Sequence, residues 1–407
     1  VNAASLQTHQ PGQTSNRLQA VTDAVYLGLC FLVPLSAAGI SVGFGLLAIL
    51  WLLQGRFRMK WAEIVGNPLY LTVLAFFLLH GLGLLWTNQP VNGFKSWMIF
   101  LIPVWATVVS REVAHKGIYA FVAGMMVAEA GVYYKLWRNW EAYIQGGYSN
   151  DFFLAMGHIS YNPMLALTIA FLLSVLMAHR LRGWRLALSL FFILAMTANM
   201  FLTGGRAGQV ALLFAGGFLA VYYFRRRPLH LVVTSMVIGA IFWGGYQLSP
   251  VFQQRIDRAV FELKTYQENA DTSVGQRLTF AENSLALFKE SPWIGHGTGS
   301  FAAAYARINQ VRSPEMAPTS NPHNYHSLIL VQFGALGMLL YLLIYYQQLR
   351  LAWRLPANSE LRPLALLLPA FVFLINFSDS YLWGHYTQAL FALLMASLYR
   401  RDASHVA

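Results

Sequence analysis

The sequence predicts an all-α polytopic membrane protein of about twelve transmembrane helices, with one large outside loop that carries amphipathic helices. Three observations predict it. Of 407 residues, 57% are hydrophobic and 11% charged, against about 25% charged in soluble domains, so the bilayer has to solvate most of this surface. Apolar stretches long enough to cross a hydrocarbon core recur along the chain. Lysine and arginine concentrate in alternate loops, as they do when one side of a membrane retains them.

The expected spans are 23–37, 39–54, 68–86, 95–110, 117–136, 162–179, 184–202, 207–224, 229–248, 325–349, 362–378 and 382–399. The first two are separate because Pro34 and Gly39 interrupt the apolar run. Starting inside, alternate loops hold Arg56, Arg58 and Lys60; Arg111 and Lys116; Arg180, Arg182 and Arg185; Arg225, Arg226 and Arg227; Arg350, Arg354 and Arg362; and Arg400 and Arg401. The short loops between them hold Arg206, with Lys95 just past another. Both termini are therefore expected in the cytoplasm. The resulting order is a cytoplasmic segment 1–22, nine spans over 23–248, a large outside loop 249–322, three spans over 323–399 and a cytoplasmic tail 400–407. The polar stretch from Val1 to Thr22 precedes an apolar region longer than a signal-peptide core, so the first helical pair is expected to be retained.

Composition also excludes function classes. The net charge of +12 is dispersed between apolar runs and forms no stripe, so nucleic acid is not the expected partner. No phosphate-binding glycine loop of the nucleotide-binding kind occurs, and no nucleotide is expected. Cys30 is the single cysteine and lies in an apolar stretch, which rules out an intrachain disulfide and gives it a packing role. No dense group of acids offers a divalent cation an oxygen cage, so neither metal nor cofactor is expected.

Helical spacing of apolar residues over 251–269 and 273–288 predicts two amphipathic helices in the large loop, lying over the membrane surface. The loop is followed by Asn321-Pro322-His323-Asn324-Tyr325-His326. Asn321 reads as an N-cap and Pro322 as the first helical residue, which places His323 in the first turn. There the helix dipole disfavours the imidazolium and keeps the ring ready to accept a proton. A general base is the role this suits, and an anchor at the head groups is the other role open to it. His326, one turn further on, is either a rival base or a packing residue.

Arg206 occupies the very short outside turn Thr203-Gly204-Gly205-Arg206, whose glycines let an anion approach the backbone. It binds a phosphate or snorkels to the interface. Arg277, at the start of the second amphipathic helix, offers a planar fork for bidentate phosphate contact, or is one polar-face residue among others such as Arg255 and Arg258. Asp379, at the outer end of a span, can orient a histidine, bind a sugar hydroxyl or face solvent. Glu129 inside the fifth span is an ionisable group in the membrane with no partner legible in the sequence.

These pieces together resemble the O-antigen ligase family, within the larger superfamily of O-antigen ligases, O-antigen polymerases and related oligosaccharyltransferases. The resemblance rests on His323-Asn324, followed after nine residues by Gly334 and after two more by Gly337. The Gly-Gly-Arg turn ending at Arg206, the Arg277 helix and the run from Ser284 to Phe301, with Pro292 and alternating Gly295, Gly297 and Gly299, agree with it. The specific motifs lie between Thr203 and Gly337.

The resemblance implies a multi-pass enzyme of the bacterial inner membrane with a periplasmic active site. Its reaction would join O-antigen, delivered on undecaprenyl diphosphate, to a hydroxyl of lipid A-core, so its partners would be these two lipids and the surrounding membrane lipid. His323 would be the base, Arg206 and Arg277 would hold the departing diphosphate, and Asn324, His326 and Asp379 would support them. Direct displacement would invert the anomeric configuration. Two lipid substrates with polar heads also require a lateral opening beside the large loop.

An O-antigen polymerase and a protein oligosaccharyltransferase are the neighbouring alternatives. The end of the chain soon after Arg401 weighs against the latter. A flippase of lipid-linked glycans is the alternative of another class, against which stand the lack of an inverted repeat and the collection of polar candidates at one face.

Overall fold

Proline and capping residues divide the apolar sequence into helices, and in the computed structural model, which describes residues 11–87, 95–144, 155–178 and 181–400, those residues form helices and no strand. The helices are α1 (Pro11–Leu32), α2 (Ala37–Leu53), α3 (Phe57–Val65), α4 (Pro68–Leu82), α5 (Trp97–Phe100), α6 (Ile102–Val108), α7 (Arg111–Ala114), α8 (Lys116–Arg138), α9 (Trp140–Ile144) and α10 (His158–Met177). They continue with α11 (Gly183–Leu202), α12 (Arg206–Phe224), α13 (Pro228–Leu248), α14 (Pro250–Lys264), α15 (Ser273–Glu290), α16 (Phe301–Arg312), α17 (Tyr325–Trp353), α18 (Arg362–Ile375) and α19 (His385–Leu398).

Seven stretches among the described residues are long and apolar enough to cross a membrane, or eight if α2 and α3, bent by 114°, count as one. This is the make-up of a multi-pass membrane protein. The twelve expected spans are all helical in whole or in part, but several fall short of a full crossing. The stretch 95–110 is interrupted at Leu101, because Pro103 has no N–H to donate and its ring displaces the carbonyl four residues back. Helices α18 and α19 have 14 residues each, about 21 Å of rise. The break at Pro34 is present, since α1 stops at Leu32 and Ser36 caps α2 by accepting from Gly39 N–H. Helix α1 itself begins at Pro11, inside the segment expected to precede the first span. Arg180, Arg401 and the loop segments 88–94 and 145–154 lie outside the described residues.

Hydrogen bonds gather the helix ends into two sets. At one end Arg400 donates to Val109 O (2.7 Å) and pairs with Glu63 (3.3 Å), and Asn67 donates to Tyr399 O (2.9 Å). Ser174 joins Tyr223 to Glu360 O at the same end. Among the described residues this set holds Arg111 and Arg400, both paired with Glu63, and Tyr223 and Glu360, which stand two residues before Arg225 and Arg362. The opposite end holds Arg206, Arg277, His323 and Asp379.

The segment between α13 and α17 contains the two expected amphipathic helices, α14 and α15, and a third, α16, which buries Phe301, Tyr305 and Asn309. Cys30 is buried in the core, as expected. Helix α17 is broken at Gly334 (φ 58°). Ala335 N–H donates to Pro292 O and Leu336 N–H to Trp293 O, while His296 and Gly297 N–H donate to Val331 O and Gln332 O. The glycine-rich run thus closes the gap in the helix by backbone pairing. A Cβ at Gly334 would meet Trp293 C at 2.6 Å, and one at Gly295 would meet Gln332 C at 2.4 Å.

Candidate active site

Helix α12 starts immediately after Gly205 (φ 144°), a conformation open to glycine, so Arg206 leaves the end of the bundle at the helix N-terminus. Helix α15 starts after its N-cap Thr272 and puts Arg277 one turn beyond Ser273. The two guanidinium groups meet at one hydroxyl: Arg206 Nη2 donates to Ser273 Oγ at 3.0 Å and Arg277 Nη1 at 2.8 Å. Arg277 is further fixed by Ser273 O (2.8 Å) and Ser378 O (3.3 Å).

His323 does not lie in the first turn of a helix, which corrects the expectation from sequence. Its φ of 49° cannot continue into a helix, and α17 begins two residues later with Asn324 as the cap, accepting from His326 and Ser327 N–H. Asn321 is engaged elsewhere. Its Oδ1 accepts from His323 N–H (3.1 Å) and from Ser380 Oγ (2.8 Å), so it ties the loop before α17 to the loop after α18. His323 therefore precedes the cap of α17 and lies outside its first turn.

Asp379 fixes the tautomer of the His323 ring. His323 Nδ1 lies 3.2 Å from Asp379 Oδ1. A carboxylate only accepts, so Nδ1 carries the proton and Nε2 is left as the acceptor of the ring. Burial alone would raise the Asp379 carboxyl, but the His323 ring, Ser380 N–H and the Asn321 amide hold it below the ordinary carboxylate value. The Asp379 side chain is 13% exposed and that of His323 37%, with the ring stacked on Phe280.

Arg206, Arg277, Ser273 and Asp379 line a cavity of about 410 Å³, together with His158 and Arg255. His323 is not in its wall and reaches it through Asp379. A second cavity of about 900 Å³ adjoins, sharing Arg206, Arg255 and Ser273 and extending to Trp140 and Tyr143. Asp379 is the only acid in the described wall of the smaller cavity, against three arginines. Like charges converging on one hydroxyl are stabilised by an anion between them, so the cavity suits a phosphate-bearing ligand.

His326 is not brought to this site. It is buried, its ring nitrogen is bonded to Phe373 O at 3.0 Å, and it packs against Phe373 and Phe377. Asn324 serves as a helix cap. Reading the sequence missed Ser273, although its place four residues before Arg277 on a helix puts both on one face. It also missed Asn321 as a link between loops, along with His158 and Arg255, for which no local signal exists.

Residues 190–342 match the family model described as O-antigen ligase. That segment, somewhat over a third of the chain, is similar to the O-antigen ligase family. Its members are membrane enzymes of the glycosyltransferase type that act on lipid-linked polysaccharides. The matched segment runs from α11 into α17 and contains Arg206, Arg277 and His323, whereas Asp379 lies beyond it. A Haemophilus influenzae relative, named only as an uncharacterized protein, is 30% identical over 151 residues, which is 35% of this chain and 37% of that protein. The match thus spans little more than a third of that relative's length.

Proposed function

We propose that the protein transfers O-antigen from undecaprenyl diphosphate to a hydroxyl of lipid A-core, at the periplasmic face of the bacterial inner membrane and without a metal ion. One observation carries this reading: Arg206 and Arg277 converge on Ser273 in a cationic cavity whose acid, Asp379, holds the ring of His323.

The acceptor hydroxyl gives its proton to His323 Nε2 as its oxygen bonds to the anomeric carbon from the face opposite the diphosphate. The bond from that carbon to the diphosphate oxygen breaks, and undecaprenyl diphosphate departs with the electron pair. Arg206 and Arg277 stabilise the charge that develops on it. The anomeric centre is inverted. Asp379 stabilises the imidazolium as it forms. A diphosphate is already a good leaving group, so a base and cations suffice.

The test is transfer by purified protein from lipid-linked O-antigen to lipid A-core. His323→Ala is expected to lower turnover by about 10²-fold or more while the protein stays folded, and a chelator is expected to leave the wild-type rate unchanged. Full activity in His323→Ala removes the base from this mechanism. Elongation of lipid-linked glycan in place of transfer to lipid A-core would make the protein a polymerase.

A further inference from the structure

Glu129 has no part in the proposed chemistry, yet it is buried inside α8 at 1% exposure. A carboxyl group there is costly unless its hydrogen bonds are needed. Its Oε2 accepts from Tyr161 OH and from Asn199 Nδ2, both at 2.7 Å. Because Asn199 turns its amide nitrogen to the carboxyl group, its Oδ1 faces the other way, where it accepts from Thr203 Oγ1 at 3.1 Å. Thr203 N–H and Oγ1 also bond to Asn199 O. Thr203 opens the turn that ends in Arg206.

The second bond reaches the same turn from the other flank. Tyr161 precedes Asn162, whose Nδ2 donates to Gly204 O at 2.8 Å. Asn162 packs so closely that a Cβ on Gly205 would meet its Nδ2 at 2.2 Å, and one on Gly208 its Cβ at 2.4 Å. Both flanks of the Gly-Gly-Arg turn are thus joined to one carboxyl group, from α11 through Asn199 and from α10 through Tyr161 and Asn162.

We propose that Glu129 is a positioning residue that holds the Thr203–Arg206 turn from within the bundle and so aims Arg206 at its anionic ligand. Its effect on transfer rests on the role given above to Arg206; its effect on the turn does not. The second oxygen of Glu129 has no hydrogen-bond partner among the described residues, so glutamine can keep both accepted bonds and place its amide nitrogen there.

Purified Glu129→Leu and Glu129→Gln are compared with wild type by hydrogen–deuterium exchange over 199–208 and by transfer kinetics. Glu129→Leu is expected to speed amide exchange at 203–206 and to lower kcat/KM for the lipid-linked donor, each by about tenfold, with the acceptor KM unchanged. Glu129→Gln stays near wild type in both. In an Arg206→Ala background, Glu129→Leu lowers the donor kcat/KM no further. Should Glu129→Leu not fold, Thr203→Val removes only the hydroxyl link and gives the same pattern at smaller amplitude. Unchanged exchange at 203–206 in the folded variant overturns the proposal. So does a Glu129→Gln as impaired as Glu129→Leu, or an effect that persists in full without Arg206. Faster exchange with undiminished transfer leaves the positioning role standing and removes Arg206 from the chemistry.

Discussion

At the scale of single residues, the pairing of His323 with Asp379 carries the most testable chemistry. Asp379 titrates below the ordinary carboxylate value, so the fold favours its ionised form. Stability from that preference is present above the unfolded value of about 3.9 and is lost as pH falls through the depressed folded value. The stability that wild type holds over Asp379→Asn should therefore persist from neutral pH down to about 4 and shrink below it, as thermal melts in detergent can measure. At neutral pH, Asp379→Asn should lower transfer by about 10²-fold, because an amide no longer dictates which ring nitrogen carries the proton. Equal rates for wild type and Asp379→Asn would leave the carboxylate without a catalytic task. Arg277→Lys tests geometry against charge: Nε and Nη1 of Arg277 make separate bonds that an ammonium cannot reproduce, so a loss of about tenfold in kcat/KM for the donor is expected.

At the scale of elements, the broken helix α17 explains why glycines recur in the family-like motifs. Gly334 has positive φ and lies against the Pro292–Trp293 backbone, so two chain segments meet without side chains between them. Gly334→Ala imposes both a left-handed alanine and a backbone clash, and is expected to cost about 2 kcal/mol or more of stability, read as a lower melting temperature or reduced yield of folded protein. Ala335 makes the control, since a change there does not force positive φ. A related economy appears after α18. The loop that carries Asp379 runs non-helical and partly buried, with Asn376 accepting from Tyr381 N–H through its side chain and from Tyr325 N–H through its carbonyl. Irregular backbone that is partly buried is tolerated where its polar groups are satisfied within the protein.

At the scale of the whole molecule, the two sets of helix ends make the proposed orientation testable. Cys30 is buried, so single cysteines can be placed in the native background. Cysteine at exposed Glu315, on the side of the candidate site, is expected to react with a membrane-impermeant maleimide in intact spheroplasts. Cysteine at exposed Arg226, among the basic loops, is expected to react only after permeabilisation. The reverse pattern would place the site in the cytoplasm and end the proposal of a periplasmic reaction. The two adjoining cavities share a wall of Arg206, Arg255 and Ser273.

By itself the sequence determined the all-helical membrane architecture, the break at Pro34, the two amphipathic helices α14 and α15, and Arg206, Arg277 and His323 as the residues to examine. These were legible because hydropathy, proline geometry and charge alternation act locally or along one helix. Only the tertiary structure decided that Asn324 caps α17 in place of Asn321, that His323 precedes the helix and pairs with Asp379, that His326 is packing, and that Ser273 joins the arginines. It also supplied the partners of Glu129. Each of these depends on groups tens to hundreds of residues apart, or on which of two equivalent caps is already engaged elsewhere. Chemistry of that kind is set by packing between helices, and no local pattern encodes it.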